Sequence, residues 1–478
     1  MDYRREIDGL RALAVLPVIL FHAGFKTFSG GFVGVDVFFV ISGYLITRII
    51  ISELDQGKFS IVNFYERRAR RIFPALFLVI LVCIPFAWFS LCPSDMKSFS
   101  KSLVAVSIFA SNILFWRESG YFDTAAELKP LLHTWSLAVE EQYYVLFPLF
   151  LLLFWKFGKR WVLVMLGLVF FASLALAQWG TYAKPAEAFY LLPTRGWELL
   201  IGCFAAFYLS QASRKEFGKG LSELGGWLGL TLILYAVFAY SETTPFPGFY
   251  ALVPTIGTVL IILFATQQTT VGKFVGNKVF VALGLISYSA YLWHHPLFAF
   301  ARQKGFSDGS ECVFLALSTL ALLFAFLSWK YVESPFRSRK TIGRKRIFGF
   351  VLCVTTSFVS IGAAGVFSNG FERLMLKYKF SEIERTQVDL INSATNYDMY
   401  LRMATDACHI WVKNTKLIES EVLNRCQNRY GKAVVILGDS HAMNLFNITS
   451  YSQIYPFIIG VSQGGCRPHG DSSDCHYV

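Results

Sequence analysis

Charged side chains are scarce in this sequence. Asp, Glu, Lys and Arg together make up 16% of the 478 residues, whereas a soluble protein of this length carries roughly 25%. Hydrophobic residues make up 54%, and they come in runs of about 17–25 residues, the length that crosses a lipid bilayer. The composition therefore excludes an ordinary soluble protein and predicts a chain that spans a bilayer many times.

A cleavable signal peptide is not evident either. The first apolar stretch follows Arg4 and Arg5 but continues directly into further spans, so we predict that it is a membrane helix. The net charge of +12 raises nucleic acid as a partner. Because Lys and Arg cluster in short loops between apolar segments, they are better explained as determinants of membrane orientation, and we predict no nucleic-acid binding.

Loop charge predicts the topology. About twelve apolar segments are long enough to be considered, and the strongest basic loop falls at 330–346. If the basic loops are cytoplasmic, counts from the two ends agree only when one segment does not span, and the weakest is the short 102–116 with Ser107, Ser111 and Asn112. We therefore predict an α-helical polytopic protein of about eleven spans, with its N-terminus in the cytoplasm. The segments lie near 10–27, 32–51, 72–91, 102–116, 137–155, 161–179, 194–210, 225–240, 250–266, 279–300, 311–331 and 346–367.

Composition changes after the last apolar segment. Residues 368–478 are polar and mixed, which predicts a soluble domain outside the cytoplasm. An even number of cysteines in an oxidising compartment fits disulfides, with three possible connectivities for four. The four are Cys408, Cys426, Cys466 and Cys475. We predict a transmembrane domain over 1–340, a linker with the last membrane helix over 341–370 and the outer domain over 371–478.

Ionisable residues at bilayer depth are candidates for function, because they are costly there. Arg11 and His22 lie eleven residues apart in the first span, so they share a helix face about 16 Å apart along the axis. They cannot touch, but they can hold the two ends of an elongated ligand. The alternative is that Arg11 snorkels to the surface and His22 is a hydrogen-bonded core residue.

A second basic cluster precedes the third segment. Arg67, Arg68, Arg70 and Arg71 lie within the sequence FYERRARRIFP, and guanidinium groups bind phosphate through paired hydrogen bonds. The cluster predicts a phosphate-bearing ligand, and the alternative is a basic anchor on the cytoplasmic side. Asp36, in a glycine-containing span, is predicted to neutralise a buried cation or to act in the site.

Two further segments carry charge into the membrane. In HTWSLAVEEQYY, His133 and Glu140 share a helix face and Glu141 points about 100° away; a carboxylate near a histidine suits acid–base chemistry, and Glu141 is a predicted catalytic residue. Arg195 and Glu198, three apart in TRGWELLIGCF, are predicted to form an ion pair. His294 and His295 have no Cys or carboxylate at ligand spacing, so we predict no metal site.

The order of these segments resembles a known family. The sequences RALAVLPVILFH, GGFVGVDVFFVISGYLI, FYERRARRIFPAL, LLHTWSLAVEEQYYVLFP, TRGWELLIG, ISYSAYLWHHP and WKYVESPFR follow one another over 5–340. They are similar to the acyltransferase-three family, in the branch of O-antigen acetylases fused to an SGNH domain. The resemblance implies membrane helices followed by a linker helix and a periplasmic α/β SGNH-like domain, in agreement with the count from loop charge.

The resemblance also implies the reaction and its residues. The family is taken to transfer acetyl groups from cytoplasmic acetyl-CoA, a substrate rather than a bound cofactor, to an envelope glycan. Arg11 and His22 match its motif of Arg, ten residues and His, which implies a catalytic role for both. The cluster from Arg67 to Arg71 matches its second Arg motif and implies binding of the coenzyme A phosphates.

The tail carries a separate signal. AVVILGDSH is an apolar strand that enters Gly438-Asp439-Ser440-His441; with a helix next and a second strand at YPFIIGV, it resembles the first SGNH block. That implies Ser440 as a nucleophile at a helix N-terminus, where backbone N–H groups stabilise an oxyanion. The residues that follow contain no Asp-x-x-His. The chain is therefore expected to be truncated, with a separate polypeptide as the source of any missing part.

These observations predict a multi-pass protein of the bacterial inner membrane. We predict an O-acetyltransferase that modifies an envelope polysaccharide, lipopolysaccharide O-antigen or core, from acetyl-CoA. A peptidoglycan O-acetyltransferase is the near alternative. A transporter without transferase activity is the alternative of another class, because intramembrane charges also suit transport.

Overall fold

The computed structural model describes residues 3–119, 125–211, 217–306, 310–338, 342–386, 408–412, 418–452 and 454–462. The chain divides into two units, Met1–Lys379 and Phe380–Val478. The first unit is built from helices in its described part, and the second combines strands and helices. The predicted domain bounds at 340 and 370 stay predictions.

The first unit contains helices of very different lengths. In chain order they are α1 (Arg5–His22), α2 (Gly34–Asp55), α3 (Ile61–Ser90), α4 (Pro93–Ser107), α5 (Ser111–Arg117), α6 (Thr134–Phe154), α7 (Lys159–Ala183), α8 (Pro185–Tyr190), α9 (Leu192–Leu209), α10 (Lys219–Ala239), α11 (Leu252–Phe264), α12 (Thr270–Val275), α13 (Lys278–Leu285), α14 (Ser287–Gln303), α15 (Glu311–Ser328), α16 (Ser334–Arg337), α17 (Arg344–Phe367) and α18 (Glu372–Tyr378). Short 3-10 turns adjoin several of these helices, and a π-helical turn, Trp329–Glu333, joins α15 to α16.

Seven helices among the described residues are long and apolar enough to cross a membrane. They are Gly31–Asp55, Ile61–Ser90, Thr134–Phe157, Lys159–Ala183, Lys219–Ala239, Glu311–Arg337 and Arg344–Phe367. α1 is shorter, with 18 residues, and carries acidic residues in its first turn. Their negative charge interacts favourably with the positive end of the helix dipole. The chain is thus a polytopic membrane protein, and the number of spans stays a prediction.

The weakest predicted span, 102–116, is not one helix. α4 ends at Ser107 and α5 begins at Ser111, and between them Phe109 has a positive φ of 54°, a backbone conformation that ends a right-handed helix. The predicted segment 279–300 is likewise divided, at Ile286, into α13 and α14. α4, with 15 residues, extends about 22 Å, which is less than a hydrocarbon core of about 30 Å.

α2 and α9 cross at two glycines. A Cβ on Gly43 would lie 1.9 Å from the carbonyl oxygen of Leu199, and one on Gly202 would lie 2.0 Å from that of Val40. Small residues let helix backbones approach this closely inside a membrane. The crossing brings the Asp36 end of α2 beside the beginning of α9.

That crossing forms a buried ion-pair group. Arg195 Nη1 lies 3.1 Å from Asp36 Oδ1 and 2.8 Å from Glu198 Oε1, and all three side chains are at most 1% exposed. The predicted ion pair between Arg195 and Glu198 is confirmed, and the cation that Asp36 was expected to neutralise is Arg195. Removing Arg195 would leave two buried carboxylates without their cation.

The second unit contains a parallel sheet in its described part. Strands β1 (His409–Val412), β2 (Val434–Gly438) and β3 (Ile458–Ser462) are ordered β1-β3-β2, with both pairs parallel. Helix α19 (Ser420–Tyr430) precedes β2, and α20 (Ser440–Ser452) connects β2 to β3. The strand, helix and strand predicted around the Gly-Asp-Ser sequence are confirmed.

A disulfide crosslinks the described part of this unit. Cys408 and Cys426 are bonded, with a Cα–Cα distance of 5.5 Å, and Cys426 is fully buried against Phe457 and its neighbours. This selects one pairing among those that the sequence left open. Cys466 and Cys475 lie outside the described residues.

Candidate active site

A cleft in the first unit collects three of the intramembrane arginines. It holds about 820 Å³ of empty space, part of it open to the surface. We call it the guanidinium cleft and define it by Arg11, Arg68, Arg71, Glu140, Tyr144 and Tyr291. These side chains come from α1, α3, α6 and α14, so the cleft lies where four helices converge.

Arg68 lies against two aromatic rings. Its guanidinium stacks over the rings of Tyr144 and Phe64, 5.8 and 6.0 Å from their centroids. Its buried Nε has no hydrogen-bond partner among the described residues. A buried N–H group without a partner carries a desolvation cost, so the side chain is poised to bind an acceptor that enters the cleft.

Arg11 is held in place by an aspartate one turn before it. Its Nη1 donates to Asp8 Oδ1 at 2.7 Å, and the hydroxyl of Tyr3 donates to Asp8 Oδ2 at the same distance. Tyr3 precedes the first helix, and partial burial together with the neighbouring Asp8 carboxylate raises its pKa to about 12. Asp8 therefore orients Arg11 while leaving guanidinium N–H groups for the cleft.

The two carboxylates of α6 have different surroundings. Glu140 lies on the wall of the cleft and accepts hydrogen bonds from Ser42 Oγ at 2.9 Å and from the Tyr144 hydroxyl at 3.1 Å. Glu141 is not among the lining residues, and its buried Oε1 has no partner among the described residues. The structure thus places Glu140 in the cleft, whereas the sequence led us to predict Glu141 as the catalytic carboxylate.

The remaining two arginines of the predicted cluster lie elsewhere. Arg67 is part-exposed and pairs with Glu53 at 2.9 Å. Arg70 is buried, and its Nε donates to Glu66 while its Nη2 donates to the carbonyl oxygen of Ile342 at 2.6 Å. Of the four residues that we predicted for the donor phosphates, the cleft contains Arg68 and Arg71.

A second cavity lies at the other end of α1. It has about 900 Å³ of empty space, part of it open to the surface. We call it the histidine cavity and define it by His22, His133, Arg195, Glu242, Tyr291 and His295. Aromatic rings supply much of its remaining wall, including Phe21, Trp135 and Phe246. Flat aromatic walls with a few charged groups are typical of sites for small polar ligands.

Three histidines line this cavity, and a fourth, His294, packs against them. His22 Nδ1 lies 3.1 Å from His294 Nε2, and the His133 ring centroid lies 5.3 and 5.7 Å from those of His295 and His294. Neither ring nitrogen of His133 has a hydrogen-bond partner among the described residues. The predicted residue His22 is thus joined by three imidazoles from α14 and the start of α6.

The cleft and the cavity share two wall residues. Val35 and Tyr291 line both. The Tyr291 hydroxyl is fixed by Ser136 Oγ at 2.8 Å and by the carbonyl oxygen of His133 at 3.0 Å. Arg11 therefore faces one compartment and His22 the other, with Tyr291 between the two compartments, as the spacing of Arg11 and His22 on one helix face requires.

Sequence reasoning missed Tyr291 as the divider and the meeting of the four histidines. Tyr291 and His294 are three residues apart in YSAYLWHHP, so their common helix face was available as a signal. The relation of His22 to α14 was not, because it depends on how two distant helices pack. In the second unit Ser440 begins α20 after β2; its side chain lies outside the described residues, and its role as a nucleophile stays a prediction.

The helical part of the chain is similar to known proteins. Residues 4–330 match the model of a protein family described as an acyltransferase domain. Peptidoglycan O-acetyltransferase OatA of Listeria monocytogenes is 34% identical over 352 residues, which cover 70% of this chain and 56% of that protein. O-acetyltransferase OatA of Staphylococcus aureus is 32% identical over 352 residues, with 70% and 58% covered. The chain thus spans somewhat more than half the length of these relatives, and no solved structure matches it.

Proposed function

The chain belongs to this acyltransferase family, and from that premise we propose that it is a membrane O-acetyltransferase that moves acetyl groups from cytoplasmic acetyl-CoA to a cell-envelope polysaccharide. The observation that carries the proposal is the contact between two compartments of different chemistry. A cleft with three arginines and a cavity with histidines meet at Val35 and Tyr291. One compartment suits an anionic donor and the other a hydroxyl acceptor.

The donor is proposed to bind in the guanidinium cleft. Acetyl-CoA is a polyanion with a long, flexible arm that ends in a thioester. Arg11, Arg68 and Arg71 face the cleft, and guanidinium groups bind phosphate oxygens with strong, charge-assisted hydrogen bonds. The arm then has room to direct the thioester toward Tyr291 and the histidines beyond.

His22 is proposed to be the general base. In a neutral imidazole, one nitrogen donates and the other accepts. His294 Nδ1 lies 2.7 Å from the carbonyl oxygen of Tyr291 and must donate to it, so its Nε2 accepts from Nδ1 of His22. Nε2 of His22 is left with a lone pair.

The transfer then balances with this chain's own groups. The acceptor hydroxyl gives its proton to His22 Nε2 as its oxygen attacks the thioester carbonyl carbon. A C–O bond forms, the C–S bond breaks, and the imidazolium returns the proton to the leaving thiolate. Glu140 lies in the donor compartment and accepts hydrogen bonds from the hydroxyls of Ser42 and Tyr144. It is proposed to orient the donor through these two hydroxyls.

Peptidoglycan is the acceptor that the relatives favour. One relative is named as a peptidoglycan O-acetyltransferase, whereas the lipopolysaccharide acceptor expected from the sequence receives no support from the relatives described above. We therefore propose a glycan of peptidoglycan type. Direct transfer of this kind does not pass through Ser440, at the start of α20, and the role of that residue as a nucleophile stays a prediction.

The bacterial inner membrane is the proposed location, with the guanidinium cleft toward the cytoplasm, where acetyl-CoA is made. The basic segments support this orientation, because Lys and Arg concentrate in cytoplasmic loops. The disulfide of the second unit fits an oxidising compartment on the other side.

Labelled acetyl-CoA tests the proposal. Membranes that contain the full chain should transfer label from the acetyl group to added peptidoglycan fragments, and membranes with His22→Ala should not. A transporter without transferase activity would give no covalent label in either. Mass spectrometry of peptidoglycan and of other surface glycans from a deletion strain identifies the acceptor by its lost acetyl esters.

A further inference from the structure

Three histidines from two helices that are distant in sequence bring ring nitrogens close together. One ring nitrogen each of His22, His294 and His295 lies within 4.8 Å of the others. In a tetrahedral zinc site with Zn–N bonds of about 2.0–2.1 Å, two ligand nitrogens lie roughly 3.4 Å apart. The 3.1 Å between His22 Nδ1 and His294 Nε2 is close to that spacing.

Backbone carbonyls fix the tautomers of two of these rings. His294 Nδ1 lies 2.7 Å from the carbonyl oxygen of Tyr291, and His295 Nε2 lies 3.1 Å from that of Lys129. A carbonyl only accepts, so both nitrogens donate, and in the neutral rings Nε2 of His294 and Nδ1 of His295 carry lone pairs. A metal-binding histidine almost always donates its other N–H in this way.

The lone pair on Nδ1 of His295 accepts no hydrogen bond from the described residues. His295 is 2% exposed, and its Nδ1 has no hydrogen-bond partner among the described residues. Buried polar nitrogens without partners are uncommon in folded proteins, and each calls for an explanation. A bound cation that accepts this lone pair would explain why the nitrogen has no hydrogen-bond partner.

We propose that His22, His294 and His295 form a binding site for a divalent transition-metal ion of the zinc class. Three protein nitrogens leave a fourth position, as in catalytic zinc sites. His22 and His295 line the histidine cavity, so that position faces a ligand in the cavity. His133, with both nitrogens unpartnered, lies beside the site.

A nearby arginine does not exclude the ion. Arg302 Nη2 donates to the carbonyl oxygen of His22 at 2.6 Å, which fixes the end of α1. Its Nε is 3.3 Å from Glu127 Oε2, and its guanidinium lies 4.9 Å from the Phe314 ring centroid. The positive charge is therefore paired with a carboxylate and stacked on a ring.

The sequence argued against a metal because only the pair His294 and His295 was visible in one segment. The fold adds His22 from α1. The binding itself does not depend on the proposed acetyl transfer, but its purpose rests on it: an ion here would polarise the oxygen that takes the fourth position. In the loaded protein His22 holds the ion through Nδ1 and carries its proton on Nε2, so the ion would replace His22 as the group that activates the acceptor hydroxyl.

Direct metal binding tests the proposal without a variant. The full chain, purified in detergent and stripped with a chelator, is titrated with Co²⁺ and with Zn²⁺, and bound metal is measured by elemental analysis. We expect one ion per chain and visible Co²⁺ absorption bands of a four-coordinate site with three nitrogen ligands. No saturable binding by the wild-type chain would overturn the proposal.

Variants then locate the ion. His294→Gln and His295→Gln should each weaken Co²⁺ binding by at least about tenfold, since even second-shell partners of metal ligands contribute 10–100-fold. His409→Gln, in the other unit, is the matched control and should bind as the wild type does. Binding that survives both ligand changes, or that falls equally in the control, would place the ion elsewhere and overturn the site.

The same measurements separate this proposal from the proposed function. A wild-type chain that acetylates glycan but binds no metal overturns only the metal site. A chain that binds one ion through these histidines but never transfers acetyl overturns only the transferase. A His22→Ala chain with undiminished metal affinity removes His22 from the ligand set and contradicts the site as stated.

Discussion

At the scale of single residues, adjacent arginines on α3 offer a matched pair. Arg68 lines the guanidinium cleft with an unpartnered Nε, whereas Arg67 pairs with Glu53 outside it. Loss of a charge-assisted hydrogen bond costs about 1.5–3 kcal/mol, so Arg68→Gln should raise the KM for acetyl-CoA by roughly 10–100-fold. Steady-state acetylation in membranes, at matched protein level, measures it.

Arg67→Gln is the control for this prediction, because it removes the same charge from the same helix. Its KM should stay within about twofold of the wild type, since exposed ion pairs contribute little. An equal loss in both variants would mean that the cluster acts as a diffuse basic anchor and not through the cleft.

His22 and Arg11 give a second residue-scale prediction. His22→Ala and Arg11→Ala should each abolish glycan acetylation, because the first removes the proposed base and the second a donor-binding cation. Membrane insertion should be intact in both, as measured by the amount of folded protein in the membrane fraction. Near-normal acetylation by either variant would remove that residue from the essential set.

The sequence anticipated these two residues better than the others in the site. Arg11 and His22 lie on one helix, so helical geometry alone relates them. The sequence argument was weaker for Glu140 and Glu141: a spacing of seven residues related His133 to Glu140 on the assumption of one continuous helix, yet Glu141 was the residue predicted to be catalytic. His133 instead precedes the first residue of α6 and faces the histidine cavity, while Glu140 faces the cleft. Helix boundaries are what a spacing argument cannot supply.

At the scale of helices, the close crossing of α2 and α9 predicts that one added methyl group there lowers stability. Gly43→Ala or Gly202→Ala would place a Cβ about 2 Å from a carbonyl oxygen of the facing helix. Overpacking of this kind costs typically 1–3 kcal/mol, so both variants should lower the thermal inactivation midpoint in detergent by several degrees. Gly167→Ala on α7 is the control, since nothing lies within 4 Å of its added Cβ.

The control variant should be at least as stable as the wild type, because alanine favours helix over glycine by about 1 kcal/mol. Equal loss in Gly167→Ala would show that the assay reports general sensitivity to substitution. Unchanged midpoints for both Gly43→Ala and Gly202→Ala would contradict the close crossing.

Local sequence patterns predicted the helices and strands more reliably than the contacts between them. The short length and polar residues of 102–116 marked it as the weakest span, although they did not predict its division into two helices. The strand and helix around Ser440 followed from the apolar run before Gly438. The shared ion-pair group did not follow, because Asp36 and Arg195 are far apart in the chain. Only the crossing at Gly43 and Gly202 explains why Arg195 contacts both Asp36 and Glu198.

For the whole chain, the disulfide predicts where the second unit lies. Cys408 and Cys426 are bonded, and such bonds persist in oxidising compartments. In cells treated with a membrane-permeant thiol reagent, this pair should react only after reduction, as measured by peptide mass spectrometry. Cys312, which is free and exposed, is the control and should react without reduction. Full labelling of Cys408 before reduction would argue that the unit faces the cytoplasm.

The last prediction concerns the side on which each end of α17 lies. Its 24 residues extend about 36 Å at 1.5 Å per residue, enough to cross a hydrocarbon core of about 30 Å. Its first end is fixed beside the α3 arginines, because Arg344 pairs with Glu66 at 2.8 Å and Arg70 donates to the carbonyl oxygen of Ile342.

The arginines at the start of α3 and the basic segment before α17 must therefore lie on the same side of the membrane. Basic loops concentrate on the cytoplasmic side. A reporter fused at residue 342 should be active only in its cytoplasmic form, and one fused after residue 367 only in its periplasmic form. A fusion within the α6–α7 turn at Gly158, beside Lys156 and Lys159, should match the first. The reverse pattern would invert the whole topology, turn the guanidinium cleft away from acetyl-CoA and remove the basis for the proposed direction of transfer.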